Sequence, residues 1–413
     1  MSINKLLIAG IVSVGLLASC AGDETAVTQS TGEPATIKLT LSTGSATTKT
    51  GGASGTSLPA GDGTLASTGG SLADEAHINR ICVGLFDGAS GTGKTVSIQE
   101  IENPSTSATN SVTTTTSATQ IMVVANAPKG YFSGVTTLSE FQTKQAAILG
   151  YTTSADGNTA YTTASGANSQ VTTAMPMASA VQSVTLSSTA STVVTTPLGR
   201  LVSRVAITHI ETNFSSTGAY AGAVFTPTEV FMLNANTTYN WNGSMPSSTS
   251  IQNGESTGRS GAGSTYKTDS LSSYSYLSSG YVGTLTPTGT APQQTYFDNA
   301  TKPYFFYVFP NATASSTRLV IKGWWNFNGK TQVMYYPIII NHAQSGTDFG
   351  GSATLPNGTT DSQIAANTRY ALSATILSIG VLNPAQTIDP ANISLTVTVN
   401  AWATPAAQNV VFN

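Results

Sequence analysis

The sequence predicts an all-β fold: two tandem β-sandwich domains, with a short helix in the first. Three observations carry that expectation. Charged residues make up only 8% of the 413 positions, whereas helices draw heavily on Glu, Lys and Arg. Ser and Thr account for more than a quarter of the chain and are joined by 39 Gly, a composition suited to strands and turns. Short runs that alternate apolar and polar residues recur along the chain, separated by turn residues. A hydrophobic fraction of 39% is enough to build cores and excludes wholesale disorder. The length fits two or three domains.

The first 19 residues read as a signal peptide. Lys5 supplies a basic start, and the apolar run from Leu6 to Ala18 is too short to span a bilayer. Leu17-Ala18-Ser19-Cys20 resembles a bacterial lipobox. That resemblance implies that Cys20 is lipidated, becomes the first residue of the mature chain and anchors the precursor to the outer membrane. The acidic start Ala21-Gly22-Asp23-Glu24 resembles the surface-export signal of Bacteroides-group lipoproteins. With Cys20 taken by lipid, Cys82 has no intrachain partner. It lies in the apolar run Ile81 to Phe86 and is expected to be a small buried hydrophobe.

Residues 20–49 are assigned to a tether and a first strand. Ile37, Leu39 and Leu41 share one face of Pro34–Thr43, with Thr36, Lys38 and Thr40 on the other. A Gly-, Ser- and Thr-rich stretch from Gly44 to Gly70 shows no periodicity and carries one basic residue, Lys49. So long a connection without periodicity suggests an exposed segment that is functional or mobile. Strands are then expected at Ile78–Asp87, Val96–Ile101 and Ile121–Ala125, a helix within Thr137–Leu149, and alternating strand over Val181–Val194. Pro197-Leu198-Gly199 breaks that pattern and divides a first domain, 50–198, from a second, 199–413. In the second, strands are expected at Leu201–Ile210, Val230–Leu233, Tyr304–Phe309, Arg318–Trp325, Val333–Ile340, Tyr370–Ile379 and Ile393–Trp402. Residues 242–290 read mainly as long loops.

Candidate chemistry is sparse. A net charge of −3 offers no basic patch, so nucleic acid is not an expected partner. The string Gly88 to Thr95 matches the phosphate-loop pattern G-x-x-x-x-G-K-[ST]. A phosphate loop opens a helix, but Val96-Ser97-Ile98-Gln99 alternates like a strand, so the string reads as a hairpin loop. His77, His209 and His342 lack partners at ligand spacing, which leaves a zinc site unsupported. Asp348 and Asp361 flank a Gly- and Asn-rich loop that reads as solvated loop rather than a Ca²⁺ site. Trp324-Trp325 and Tyr266, Tyr274, Tyr276 and Tyr281 can serve sugar or protein contact, though adjacent strand residues face opposite ways and one Trp of the pair should be core. No catalytic residue, cofactor or metal is expected, and the chain does not read as an enzyme.

Several segments, in order, resemble the fimbrillins of Bacteroides-group bacteria, the major subunits of lipoprotein-derived fimbriae (type V pili). They are Ile81-Cys-Val-Gly-Leu-Phe-Asp87, Val123-Val-Ala-Asn-Ala-Pro128 and Gly199-Arg-Leu-Val-Ser-Arg-Val-Ala206. Tyr304 to Asn311, with Pro310 in place of an acidic residue, and Tyr335-Tyr-Pro-Ile-Ile-Ile-Asn341 continue the series. Asn367-Thr-Arg-Tyr370, Val399-Asn-Ala-Trp402 and Gln408-Asn409 complete it. The resemblance implies two transthyretin-like β-sandwich domains, no enzymatic activity, and an extracellular fimbrium built from copies of this chain and accessory subunits.

It also implies an assembly route. A trypsin-like processing protease would cut after Lys49, where the family typically presents Arg, and release the strand carrying Ile37, Leu39 and Leu41. A C-terminal strand of another subunit would fill the vacated groove. Two segments alternate suitably: Ile393, Leu395, Val397 and Val399, and the terminal Val410 and Phe412. A monomeric surface lipoprotein that binds glycan, and a fimbrial tip or anchor subunit, are the competing readings. A shaft subunit needs both a detachable strand and a donor; a glycan binder needs neither.

Overall fold

The computed structural model describes residues 32–43, 78–88, 93–147, 150–153, 159–162, 174–247, 251–255, 277, 285–299, 303–311, 316–342, 362–386 and 393–401. Its first half contains β1 (Pro34–Thr43), β2 (Arg80–Phe86), β3 (Thr95–Glu102), β4 (Asn110–Thr115), β5 (Gln120–Ala125) and α1 (Leu138–Thr143). Next come β6 (Gln145–Ala147), β7 (Gly150–Thr153), β8 (Thr159–Thr162), β9 (Met177–Ala178), β10 (Gln182–Ser183) and β11 (Thr192–Arg200). One eight-stranded sheet runs β3-β2-β5-β9-β11-β1-β4, with β10 also on β5. Every residue of β2 and β5 is buried, as their nearly continuous apolar runs require.

The helix is shorter than the expected Thr137–Leu149. Thr137 caps it by accepting from the Glu140 N–H at 3.2 Å, while the Glu140 carboxylate accepts from the Thr136 N–H and hydroxyl at 2.8 and 2.9 Å. Those bonds, the backbone one first, hold the Glu140 carboxyl below the usual carboxylate range. The helix stops at Thr143 because Gln145–Ala147 is drawn into a ladder with Thr238–Asn240. Phe141 points inward, stacked on Phe132 at 4.1 Å and edge-on to Phe86 at 5.4 Å.

Two further expectations are corrected. Within Val181–Val194 only β10 and the start of β11 are strand. Between them Ser187 Oγ takes the Thr189 N–H at 3.2 Å, a local turn that competes with a ladder. Pro197-Leu198-Gly199 does not break the strand but lies inside β11. Among the described residues, the second ladder partner of β11 is β9, at Gly199 and Arg200, and the Gln182 side chain serves Thr195 O and the Thr196 hydroxyl, so Pro197, which has no N–H, falls before that ladder begins.

The second half contains β12 (Ser203–Asn213), β13 (Val224–Leu233), β14 (Ala235–Asn236), β15 (Thr238–Asn240), β16 (Ile251–Gln252) and β17 (Thr288–Thr290). It continues with β18 (Gln293–Asp298), β19 (Tyr304–Val308), β20 (Arg318–Phe327), β21 (Lys330–Ile339), β22 (Thr368–Ile376) and β23 (Ile393–Ala401). One sheet runs β17-β18-β12-β22-β23, with β19 also on β12, and another runs β13-β20-β21. These sandwich-like sheets draw only on strands from Ser203 onward, and the eight-stranded sheet only on strands up to Arg200. The ladder between β6 and β15 bridges the two sets, reinforced by the Trp241 backbone N–H to Lys144 O at 3.1 Å and by the Trp241 ring against Phe132. The main hydrophobic core runs through both halves.

Candidate assembly site

The first strand behaves as its alternation dictates. Ile37 and Leu39 are fully buried, Leu41 and Ala35 nearly so, and Lys38 is exposed. The strand is interior rather than marginal. It runs parallel to β11 from the pair Ile37–Thr192 to Thr43–Leu198, and antiparallel to β4 from Pro34–Thr115 to Leu39–Asn110. Further bonds fasten it: the Thr116 N–H to Glu33 O at 2.8 Å, the Glu33 N–H to Thr116 Oγ1 at 3.1 Å, and Asn110 Nδ2 to Leu39 O at 3.5 Å.

In the order of the sheet, β1 alone stands between β11 and β4. Its three aliphatic side chains are worth roughly 1.5–3 kcal/mol each in burial. Taking it out would empty apolar pockets at every second position and strip backbone partners from a strand on either side, which is costly for any group left buried. Such a slot suits an extended segment with apolar residues at a two-residue period.

The first candidate donor is already in use within this chain. β23 pairs antiparallel with β22 over its whole length, from Ile376–Ile393 to Thr368–Ala401, at the end of its sheet, and Ile393 is buried. The structure thus places Ile393, Leu395, Val397 and Val399 in a different sheet from Ile37, Leu39 and Leu41. Cys20, Lys49, Val410 and Phe412 lie outside the described residues.

The remaining candidates resolve into structural roles. Thr95 of the phosphate-loop-like string opens strand β3, not a helix, and its hydroxyl bonds to Val135 O at 3.0 Å. Asp87 and Lys94 exchange two bonds, N–H to Lys94 O at 2.9 Å and Lys94 N–H to Asp87 Oδ1 at 2.6 Å, closing a hairpin end. Cys82 is buried, and burial pushes its thiol well above its usual range, which suppresses nucleophilic character. His209 sits between Glu211 (3.5 Å) and Asp298 (3.4 Å), and His342 Nδ1 meets Ser362 Oγ at 3.1 Å. No cluster of three or more metal-ligating side chains occurs among the described residues. Trp325 is core, edge-on to Phe214 and Tyr220, while Trp324 is 45% exposed. His77, Asp348, Asp361, Tyr266, Tyr274, Tyr276 and Tyr281 lie outside the described residues.

One buried polar cluster escapes sequence reading. Lys322 Nζ lies 2.6 Å from Glu255 Oε1 and 3.7 Å from Glu229 Oε2, and the Tyr335 hydroxyl donates to the same Glu255 oxygen at 2.9 Å. Glu229 and Lys322 are cross-strand partners in β13 and β20. The only trace in the sequence is a charged residue set in each apolar strand; their pairing depends on register.

Among the described residues, then, the first strand is interior to its sheet and the charged side chains named above serve ion pairs and a hairpin end, contacts that hold a scaffold together. The family model for the major fimbrial subunit protein (FimA) matches residues 35–269, more than half of the chain. The chain belongs to that family of fimbrial subunits, a family of structural proteins whose place is the extracellular fimbrium and its adhesive role. Solved structures agree at the level of the fold. A candidate cell adhesion protein from Bacteroides eggerthii DSM 20697 has 20% identity and a TM-score of 0.58, over 90% of this chain and 97% of that one. One from Parabacteroides distasonis ATCC 8503 has 19% identity and a TM-score of 0.55, over 91% and 98%. A fimbrilin from Porphyromonas gingivalis W83 has 15% identity and a TM-score of 0.53, over 91% and 98%. No curated protein sequence matches the chain.

Proposed function

We propose that this chain is a shaft subunit that polymerises by strand exchange. In this reading Cys20 carries the lipid of an outer-membrane precursor, and a protease cuts after Lys49. The strand bearing Ile37, Leu39 and Leu41 then yields its slot to a C-terminal segment of a second copy. The two domains so linked divide between Arg200 and Ser203 rather than at 198/199, because β11 runs on to Arg200. The observation that carries the reading is the position of β1: terminal in the described chain, yet interior in the sheet between β11 and β4.

Ladder bonds and buried side chains still hold a cut strand, so cleavage by itself releases it slowly. Exchange is assisted by the incoming strand, which replaces contacts one pocket at a time. Donation by Ile393 to Val399 would cost the nine register pairs with β22, whereas donation by Val410 and Phe412 leaves that ladder in place. Negative-stain microscopy before and after limited trypsin treatment tests the reading. Fibres are expected only after treatment, with residues 34–43 missing from the assembled subunits. Fibres that retain residues 34–43 overturn it.

A further inference from the structure

The end strands of the eight-stranded sheet, β3 and β4, are not hydrogen-bonded neighbours in its ladder order. Side chains join them instead. Gln99 of β3 donates from Nε2 to Thr113 Oγ1 at 2.7 Å, and its Oε1 accepts from the Thr113 backbone N–H at 3.0 Å. One turn of the pleat away, the Ser97 hydroxyl donates to Thr114 Oγ1 at 3.0 Å. The Gln99 amide, one donor and one acceptor, therefore stands where a neighbouring strand would bind at Thr113. Because the Thr113 N–H is committed to Gln99, it faces the outer edge of β4, away from β1.

We propose that Gln99, supported by Ser97, is a clasp that decides where an incoming strand from a second copy binds. The proposal rests on the strand-exchange reading above. β1 is the ladder neighbour of β4, and the Thr116–Glu33 bonds would leave together with β1. The clasp ties β4 to β3, which stays, so β4 remains as the second wall of the slot. Occupying the Thr113 N–H also closes the outer edge of β4, where an added strand would give a misplaced junction. The amide of Gln99 thus keeps the correct acceptor open and the neighbouring one shut.

Two measurements on the full chain test this. In a Leu39→Ala background, which loosens β1, adding Gln99→Ala should speed amide exchange across residues 110–115 about tenfold, equivalent to roughly 1.4 kcal/mol. Unchanged exchange overturns the holding role. In trypsin-treated protein, Gln99→Ala should slow fibre elongation about tenfold relative to the parent while leaving the melting temperature of uncut protein within a few degrees; an unchanged elongation rate overturns the directing role. If the parent itself forms no fibres, the strand-exchange reading falls, and the amide-exchange comparison still decides the clasp.

Discussion

Ile37 stands directly opposite Val112 across the antiparallel ladder of β1 and β4, and neither side chain is exposed. Val112 is the sole aliphatic residue in Asn110–Thr115, so the apolar side of that short strand is matched to one residue of β1. The strand most easily detached in sequence therefore organises its neighbour.

Shortening the buried face of β1 should be costly where the exposed face is not. Leu39→Ala is expected to lower unfolding free energy by about 2–5 kcal/mol. Lys38→Ala, next along the same strand but exposed, should stay within about 0.5 kcal/mol. Urea denaturation of the uncut protein compares them, and equal effects would contradict the interior placement.

Processing should depend on the basic residue between the first strand and the rest. Lys49→Ala is expected to leave residues 34–43 attached after trypsin treatment and to abolish fibres. Cys20→Ala should accumulate unprocessed or mislocalised precursor. N-terminal sequencing and surface labelling read both; loss of the first strand from Lys49→Ala would put the cut elsewhere.

The donor is separable by truncation. Deleting residues 403–413 should abolish fibres if Val410 and Phe412 are the donor pair, and preserve them if Ile393 to Val399 is. Deleting from Ala391 onward removes both, and fibres from that variant would rule out C-terminal donation. Val397→Asp, opposite Leu372 in the ladder, places a carboxylate in whichever strand interface that segment joins, at a cost of several kcal/mol where it is buried unpaired.

The buried cluster of the second half should be sensitive to losing one member. Lys322→Met is expected to destabilise by about 3–5 kcal/mol, because it takes the cation from between two buried carboxylates, whereas Glu255→Gln, which keeps the Lys322–Glu229 pair, should cost less. Tyr335→Phe should cost less, about 1 kcal/mol for a single hydrogen bond. Thermal denaturation orders the three, and a larger loss from Tyr335→Phe would contradict the ion-pair assignment.

Alkaline pH should unfold the chain through its buried phenols. Burial pushes the Tyr370 hydroxyl up to about 12 from an ordinary 10.0, and raises Tyr336 further. The unfolded chain loses these protons near pH 10 and the folded chain does not. Stability is therefore intact below pH 10 and falls between 10 and 12. Absorbance at the phenolate band, followed with circular dichroism, should show these tyrosines ionising together with unfolding, and Tyr370→Phe should shift that transition upward.

Where strands were legible in the sequence, side-chain alternation was the reason. Pro34–Thr43 alternates over its full length and is observed with those bounds. Ile121–Ala125 is a continuous apolar run and lies in a buried strand. Asn110–Thr115 was not legible, because Asn-Ser-Val-Thr-Thr-Thr carries one aliphatic residue and its strand character comes from the ladder with β1. The end of α1 was equally hidden: nothing local stops it at Thr143, but Thr238–Asn240 captures the residues that follow.

The sequence by itself determined the all-β class, the face of the first strand that is buried, and the strand that follows the phosphate-loop-like string. Each of these depends on the order of neighbouring side chains and on backbone propensity, both local. Only the tertiary structure decided that β1 lies between β11 and β4, that Gln99 clasps Thr113, and that Lys322 meets Glu255 and Glu229. Those relations join residues far apart in the chain, and strand order and register, which no local pattern encodes, bring them within reach.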